Sequence, residues 1–587
     1  MTFLGIDRTL HPSLDEINFL QAGTGAVQRD AQSKMRDIVS VKDFGAVGDG
    51  VTDDTAAIQA ALSSGLRCVM IPVGTFLISS ALILPSGVSL IGQGCSTIKL
   101  KNNAAPIPTS LVTTNTTNNA RGSNVALVGL IFDANRENNI DHGTPDGAGN
   151  QAQGWNGTLL AVVALAYMDG VRVENCIVKN SFGSGIWFVD CTDVLAAGNT
   201  VTACRKSGIS ARRFAPIQSP GMRDYRFVNN YVSGGVVGIH GIFGTRNGTI
   251  SGNICTDQRD SNAFPAFAYS GTYPNIWPST GGFTAFGEGG YVSPANEGDG
   301  AGIELTGYYT ATSAATEADI LIAGNVCTDC VVGIRAEQAA ERISVSANVC
   351  TDNDKYGLFL YSATDVVAAG NYIALNREHG VAVSHASGQI APAYILLVGN
   401  NIARNNQFGV VFENTDSSVI RDNLVVANGV DTGVTQRGAF GLYQDDITSA
   451  FCNAVVIANN FVDQTGGYWV FYDNTGHSNV SLVNNAFFGT PTSNLNNVNL
   501  TNTVVRGNTG LVTRNTGSAT VSNNSFVTIT HGLAFTPLVA NIRINPVEDI
   551  AADGRFYVGP VPTATTFDVI YAGGSAPVAI AWAVDDQ

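Results

Sequence analysis

The sequence predicts an all-β chain organised as a parallel β-helix, and three observations carry that prediction. One phrase recurs from Val171 to about Asn485: an Asn closing a turn, a short apolar strand, a Gly and a second apolar strand. Its clearest anchors, Asn325, Asn348 and Asn371, are 23 residues apart. Composition agrees, because 65 Gly, only 13% charged residues and no long amphipathic heptads favour turns and strands over helices.

A period near 23 suits a coil of three short strands, whereas helical repeat classes run longer, at about 33 to 47 residues. Each corner needs a residue able to take positive φ, a role for Gly or Asn. Further anchors fall at Asn175, Asn199, Asn230 and Asn253, and at Asn400, Asn423, Asn460 and Asn484, where longer steps mark loop insertions. No single coil buries its own apolar face, so coils stack about 4.8 Å apart and equivalent positions become ladders. Cys255, Cys327 and Cys350 share one slot in NICTD, NVCTD and NVCTD, which predicts an interior column of small buried side chains. The Cys327/Cys330 CxxC has no second Cys or His pair at ligand spacing, so no metal site is expected there.

The ends differ from the repeat. Residues 1–38 include AVQRDAQSKMRD, with helical character, and read as an attachment segment and neck. Val39 to Leu62 reads as a strand, a Gly-rich turn and a helix opened by Thr52, Asp53 and Asp54. Carboxylates there suit the helix dipole and its free amides, a capping role rather than a metal pair. The β-helix is expected over 39–510, with that helix capping its first turns and an insertion at about 256–300. Residues 511–587 break the period and alternate apolar with polar residues, which predicts a separate β-sandwich.

The net charge of −16 argues against nucleic acid, whose phosphates reward a basic face. The N-terminus has neither a basic start nor a continuous apolar core, and no stretch reaches about 18 apolar residues. The expectation is a protein made in the cytoplasm without a signal peptide and without membrane insertion.

KDFGAVGDGVTDDTAAIQAAL (Lys42 to Leu62) resembles the opening motif of the pectate-lyase-like superfamily of right-handed β-helices. The preceding FLQAGTGAVQRDAQSKMRDIVSV resembles the neck that joins this motif to the virion anchor in bacteriophage tailspikes. The match covers residues 20–62, and the later repeats agree in architecture. The resemblance implies a homotrimer in the virion tail, joined through its N-terminus to a phage tail or adaptor protein. It also implies a partner, a bacterial surface polysaccharide (capsule or O-antigen), that the protein binds and usually cleaves without a cofactor. The motif carries no catalytic residues, so the chemistry rests on the ladders.

Strand alternation supplies them: with the Gly of each coil as register mark, Gly+1 and Gly+3 point inward and Gly+2 and Gly+4 outward. The Gly+2 column reads Trp187, Ser210, His240, Glu304, Arg335, Phe359, Ala382, Val411, Tyr443 and Trp469. The Gly+4 column reads Val189, Arg212, Ile242, Thr306, Glu337, Tyr361, Ser384, Glu413, Asp445 and Phe471. Glu304 and Glu337, one rung apart and offset by two residues, put their Cβ atoms about 8 Å apart; Glu413 and Asp445 fall about 5 Å apart if their rungs are adjacent. Glycosidases use two carboxyl groups, about 5–5.5 Å apart for retention and about 6.5–9.5 Å for inversion. These four carboxylates are the catalytic candidates. Arg212, Arg335 and His240 are candidates to hold substrate, with Trp187, Tyr361 and Tyr443 as stacking surfaces. Trp277, in the aromatic-rich insertion, is a candidate wall of the groove.

Three chemistries follow. Hydrolysis assigns Glu304 or Glu337 as general acid and the other as base or nucleophile. A lyase instead uses a basic group beside a uronate whose carboxylate Arg212 or Arg335 neutralises. A receptor-binding adhesin uses the groove without turnover. Deacetylation is the weakest, as no Ser, His and Asp arrangement stands out.

Overall fold

A computed structural model describes residues 15–139, 161–258 and 300–584, apart from short stretches. Those are 105–106, 118–119, 182, 205, 214–220, 243, 311–312, 386–389, 434–435, 445–450, 474–475, 492, 497–502, 512–514, 523–524, 531–538, 548–554, 560–561, 564–565 and 573–576. The insertion at about 256–300, with Trp277, and Asp445 therefore lie outside the described residues, save the insertion's first and last few positions. The chain divides into two units, the first break falling between Ile209 and Ser210.

The first unit opens on a short helix, Ala31–Met35, whose N-cap Asp30 accepts from Ser33 N. At Val41–Phe44 a 3₁₀ turn is held by a capping box between Ser40 and Asp43 and ends on Gly45 at φ 95°, a left-handed position that Gly takes without strain. The helix expected after the Gly-rich turn spans Thr55–Leu62, and its two acidic residues divide the work differently from the expectation. Asp53 receives Thr55 N at 3.2 Å. Asp54, at the N-cap, makes no side-chain cap bond; its buried carboxylate receives Val47 N at 2.7 Å and Gly48 N at 3.0 Å. Asp54 thus ties the Gly-rich turn back to the helix start. Parallel coils follow directly, with Val69 beside Leu90, Phe76 beside Ile98, and Leu82 beside Val112.

In the second unit each coil has three strands, for example Ala318–Ala323, Val326–Thr328 and Val332–Glu337. Every strand pairs in parallel with its equivalent one coil on: Ile343 meets Val366, Val349 meets Tyr372, and Arg335 meets Phe359. Inward positions are fully buried aliphatics, such as Ile303, Leu305, Ile334 and Ala336 at 0% exposure. The Cys column forms as expected, with Cys255, Cys327 and Cys350 in register. The flanking thiols and burial push Cys327 well above the ordinary thiol range.

The corner between first and second strands carries a ladder of buried amides. Asn253 donates from both its backbone N and Nδ2 to Asn325 Oδ1, each at 2.9 Å, and Nδ2 also donates to Phe227 O. Asn325, Asn348, Asn371, Asn400, Asn423, Asn460 and Asn485 repeat the pattern. Two anchors shift by one residue: Asn175 and Asn484 hold positive φ of 53° and 55°, and the ladder slots belong to Cys176 and Asn485. The residue before the slot turns the corner, and the slot residue supplies the amide. A second ladder, Asn353, Asn376, Asn405 and Asn428, continued by Gln464, runs at the next corner.

Beyond the coils, two three-stranded antiparallel sheets formed by strands between Asn515 and Val584 share a core that includes Val569, Ile580 and Trp582, with Phe567 edge-on to Trp582 at 5.5 Å. Among the described residues no helix is long and apolar enough to cross a membrane.

Candidate active site

Within the second unit the outward columns read from the Gly register hold from the strand of His240 to that of Val411. Trp187, in the first unit, pairs with Ala164 and is 7% exposed. In the second unit His240 is beside Glu304, Glu304 beside Arg335, Thr306 beside Glu337, and Glu337 beside Tyr361. Arg213 N donates to Ile242 O at 3.0 Å, which sets Arg212 on the strand next to His240.

The expectation of a solvent-facing cluster is corrected. Arg212, Glu304, Arg335, Glu337 and Tyr361 are 2–8% exposed, so alternation gave their direction but not their cover. Buried charge is tolerated only where opposite charges and hydrogen bonds compensate, and this column alternates acid with base. His240 keeps 16% of its side chain exposed against 6% for Glu304, so within the cluster it is the side chain that solvent reaches.

At the centre is a residue the sequence reading put in a column but not in the site. Thr306 Oγ1 donates to Glu304 Oε1 at 2.9 Å and lies 3.3 Å from Glu337 Oε1. It is also 3.3 Å from His240 Nε2, which is 3.9 Å from Glu304 Oε1. Laid end to end, the two carboxyl contacts leave those oxygens no farther apart than about 6.2 Å. A hydroxyl has one hydrogen to donate, so Thr306 donates to one of these neighbours at a time. Phe359 closes the group, its ring 5.8 Å from the Arg335 guanidinium carbon and 5.5 Å from Tyr361.

Of the second expected carboxylate pair only Glu413 lies among the described residues. Past Val411 the register marks slip: Val411 is beside Gly441 and Glu413 beside Tyr443, and Gly441 is beside Phe471. Tyr443 therefore belongs to the column of Glu413, not to that of Glu304. Glu413 receives Ser384 Oγ at 2.5 Å. Trp469 leaves the outward face, donating Nε1 to Phe488 O and stacking on Phe487 at 5.1 Å. Tyr443 packs with Phe408 and Phe471 in an apolar cluster. His379, which the reading passed over, accepts from Phe408 N at 3.2 Å and lies parallel to Tyr356 at 5.7 Å. Burial lowers it to about 4, so it packs there as a neutral ring.

Residues 38–275 match the family described as rhamnogalacturonase A/epimerase, pectate lyase-like. Residues 276–439 match the family described as periplasmic copper-binding protein (NosD). The donors for copper do not fit: no group of three or more His, Cys, Asp or Glu able to hold a metal occurs among the described residues, and Cys327, Cys330 and Cys350 are in the core. Over 56 residues the chain is 52% identical to the pre-neck appendage protein of Bacillus phage phi29, covering 10% of this chain and 6% of that one. Over 112 residues it is 38% identical to mannuronan C5-epimerase AlgE4 of Azotobacter vinelandii, covering 17% and 20%. The chain thus matches only a small part of these relatives' lengths. The tailspike protein of E. coli bacteriophage HK620 in complex with pentasaccharide is 12% identical with a TM-score of 0.51, covering 98% of both chains. Bacteriophage CBA120 tailspike protein 3 is 15% identical with a TM-score of 0.50, covering 85% of this chain and 66% of that one. The chain is built as a right-handed parallel β-helix, the fold it has in common with phage tailspikes, and over residues 38–275 it is similar to the pectate-lyase-like family.

Proposed function

We propose that the protein is a phage tail component that binds a bacterial surface polysaccharide and hydrolyses its glycosidic bonds with Glu304 and Glu337. The observation that carries this is the Thr306 hydroxyl between the two carboxyl groups, flanked by His240, Arg212 and Arg335. In this reading one Glu gives its proton to the glycosidic oxygen as the bond to the anomeric carbon breaks. The other either attacks that carbon or takes a proton from the attacking water. Arg212 and Arg335 suit an anionic sugar, and Tyr361 suits the apolar face of a ring.

The phage side of the reading draws support from the appendage-protein match and the fold held in common with tailspikes. With it we propose attachment to the tail through the N-terminal segment, and a homotrimer.

One observation favours a second reading. The contact of His240 with Glu304, beside two Arg side chains, equally suits proton removal next to a uronate carboxylate, the first step of a lyase. One experiment separates these. Capsular or O-antigen polysaccharide from a susceptible host is sized before and after the protein, with reducing ends and ultraviolet absorbance read together. Shortening with new reducing ends and no absorbance is expected, and Glu304→Gln and Glu337→Gln should each abolish it while binding persists. New absorbance means a lyase, and unchanged size means an adhesin. Full activity in both variants removes the carboxylate assignment.

A further inference from the structure

We infer that Glu317 is a positioning residue for the candidate site: its buried carboxylate replaces corner hydrogen bonds that a hairpin interrupts just after Thr306, and so holds the strand of His240 in register with that of Glu304 and Thr306. Its effect on rate rests on the hydrolytic reading above; its effect on register stands on the fold alone.

In the next two coils the corner between third and first strands is short, residues 338–340 after Val332–Glu337 and residues 362–363 after Leu358–Tyr361. These corners bond to one another through the backbone: Gln338 N donates to Tyr361 O at 2.9 Å and Ala339 N to Ser362 O at 3.1 Å. The coil of Glu304 departs from this. After Ala301–Thr306 the chain runs through residues 307–317 before the next strand opens at Ala318, and the antiparallel pair Tyr308–Thr310 and Ser313–Ala315 fills that length. The corner of the coil before, between Val237–Ile242 and Arg246–Ser251, thereby lacks a regular neighbour. Ile242 pairs with Thr306 and Thr306 with Glu337, so Gly244 is the counterpart of Ala339. Where Ala339 N meets a backbone carbonyl, Gly244 N donates to Glu317 Oε1 at 2.7 Å, and Thr245 N to Glu317 Oε2 at 3.1 Å. The Thr245 hydroxyl also donates to Oε2 and lies 3.0 Å from Tyr225 Oη. The main chain of Glu317 is already back in the ladder, its carbonyl accepting from Glu341 N at 2.9 Å while Ala318 N donates to Thr245 O at 3.1 Å.

This carboxylate lies directly behind the site. Gly241 follows His240 and takes the inward column of Leu305, Ala336 and Leu360. A Cβ there would sit 2.9 Å from Leu305 Cδ2, 3.3 Å from Thr245 Oγ1 and 3.4 Å from Glu317 Oε2, so the apolar column gives way at that rung to a carboxylate and a hydroxyl. Glu304 and Thr306 share one strand and move together, whereas His240 is on the other. The 3.3 Å contact between His240 Nε2 and Thr306 Oγ1 is therefore the one that depends on how the two strand ends are fastened. Buried amides without acceptors favour opening of the segment that carries them, and here that segment begins two residues past the His240 strand.

The test is hydrogen exchange by mass spectrometry together with reducing-end release, on the full chain well below its melting temperature. Glu317→Leu keeps the bulk and removes both acceptors, whereas Glu317→Gln keeps one oxygen. For the Leu variant kcat is expected to fall about tenfold or more with KM for the polymer little changed, since a misplacement of about 1 Å can cost about 100-fold. Exchange is expected to quicken at Gly244 and Thr245 and along residues 237–242 and 301–306, with the Gln variant between the Leu variant and the wild type in both readouts. A Leu variant with kcat within about twofold of wild type, or with quicker exchange confined to Gly244 and Thr245, overturns the positioning role. A wild type that cleaves no polymer overturns the hydrolytic reading alone, and exchange along the two strands still decides whether Glu317 holds them. Should the Leu variant not fold, the Gln variant decides: one oxygen serves one amide, so quicker exchange at Gly244 or Thr245 with a lower kcat is expected, and wild-type values in both overturn the role.

Discussion

Replacing Thr306 with Val removes one hydroxyl and keeps the shape, so it isolates the bridge between the two carboxyl groups. Thr306 is 2% exposed, and Glu304 and Glu337 are 4% and 3%, so water does not freely replace the lost partner. Losing a hydrogen bond to a charged group costs about 1.5–3 kcal/mol, and each 1.4 kcal/mol is tenfold in rate. If the bridge matters chiefly in the transition state, kcat falls about 10- to 100-fold with little change in KM. Thr306→Ser keeps the hydroxyl and recovers most of the rate. The assay is reducing-end release from the polymer across pH, with melting temperature measured on the same samples. A Thr306→Val protein with kcat within about twofold of wild type refutes the bridge as a positioning element.

Glu317 gives a pH prediction. It is fully buried and receives Gly244 N at 2.7 Å, Thr245 N at 3.1 Å and the Thr245 hydroxyl, itself 3.0 Å from Tyr225 Oη. Burial outweighs these donors and raises its pKa to about 7. A raised carboxyl pKa means that the fold prefers the protonated form, so its contribution is complete below about pH 4.5 and is lost as pH rises through about 7. Melting temperature should therefore fall between pH 5 and 8, and Glu317→Gln should flatten that slope; a wild type with no slope contradicts the account. In the amide ladder, Asn348→Ala leaves the Asn325 backbone N–H unpaired in the core and removes the side-chain donor to the Ile322 carbonyl. At about 1–3 kcal/mol per buried orphan, a loss of about 2 kcal/mol is expected by chemical denaturation. A change under about 1 kcal/mol means that the ladder is decorative rather than structural.

The coil register was legible because Gly fills a tight slot. A Cβ at Gly302 would sit 2.7 Å from Gly333 O, and one at Gly333 2.5 Å from Gly357 O, so spacing by Gly tracked true register from the coil of His240 to that of Val411. It failed where the slot is held by Ala439 and then Trp469, which made Gly441 and Gly467 false marks and misaligned Tyr443 with Trp469. Asn484 and Asn485 are indistinguishable in one dimension; only the positive φ of the first assigns the ladder to the second. The site was half legible. Alternation found Glu304, Glu337, Arg335 and His240, but a Thr in a column carries no signal that its hydroxyl lies between two acids. Burial of the outward face was beyond reach, since a strand pattern specifies direction and not what packs over it.

The amide ladder has a polarity. Every Asn Oδ1 receives the rung before it and every Nδ2 reaches the rung after, so the side-chain amides all face one way. Such a row is indifferent to how many members it has. Excising one whole repeat, from Val326 through Asn348, returns each remaining amide to an equivalent neighbour, whereas excising half of one leaves a donor facing a donor. The length of this protein is therefore adjustable only in whole coils. The row of Asn side chains serves as the ruler that permits those steps and no others.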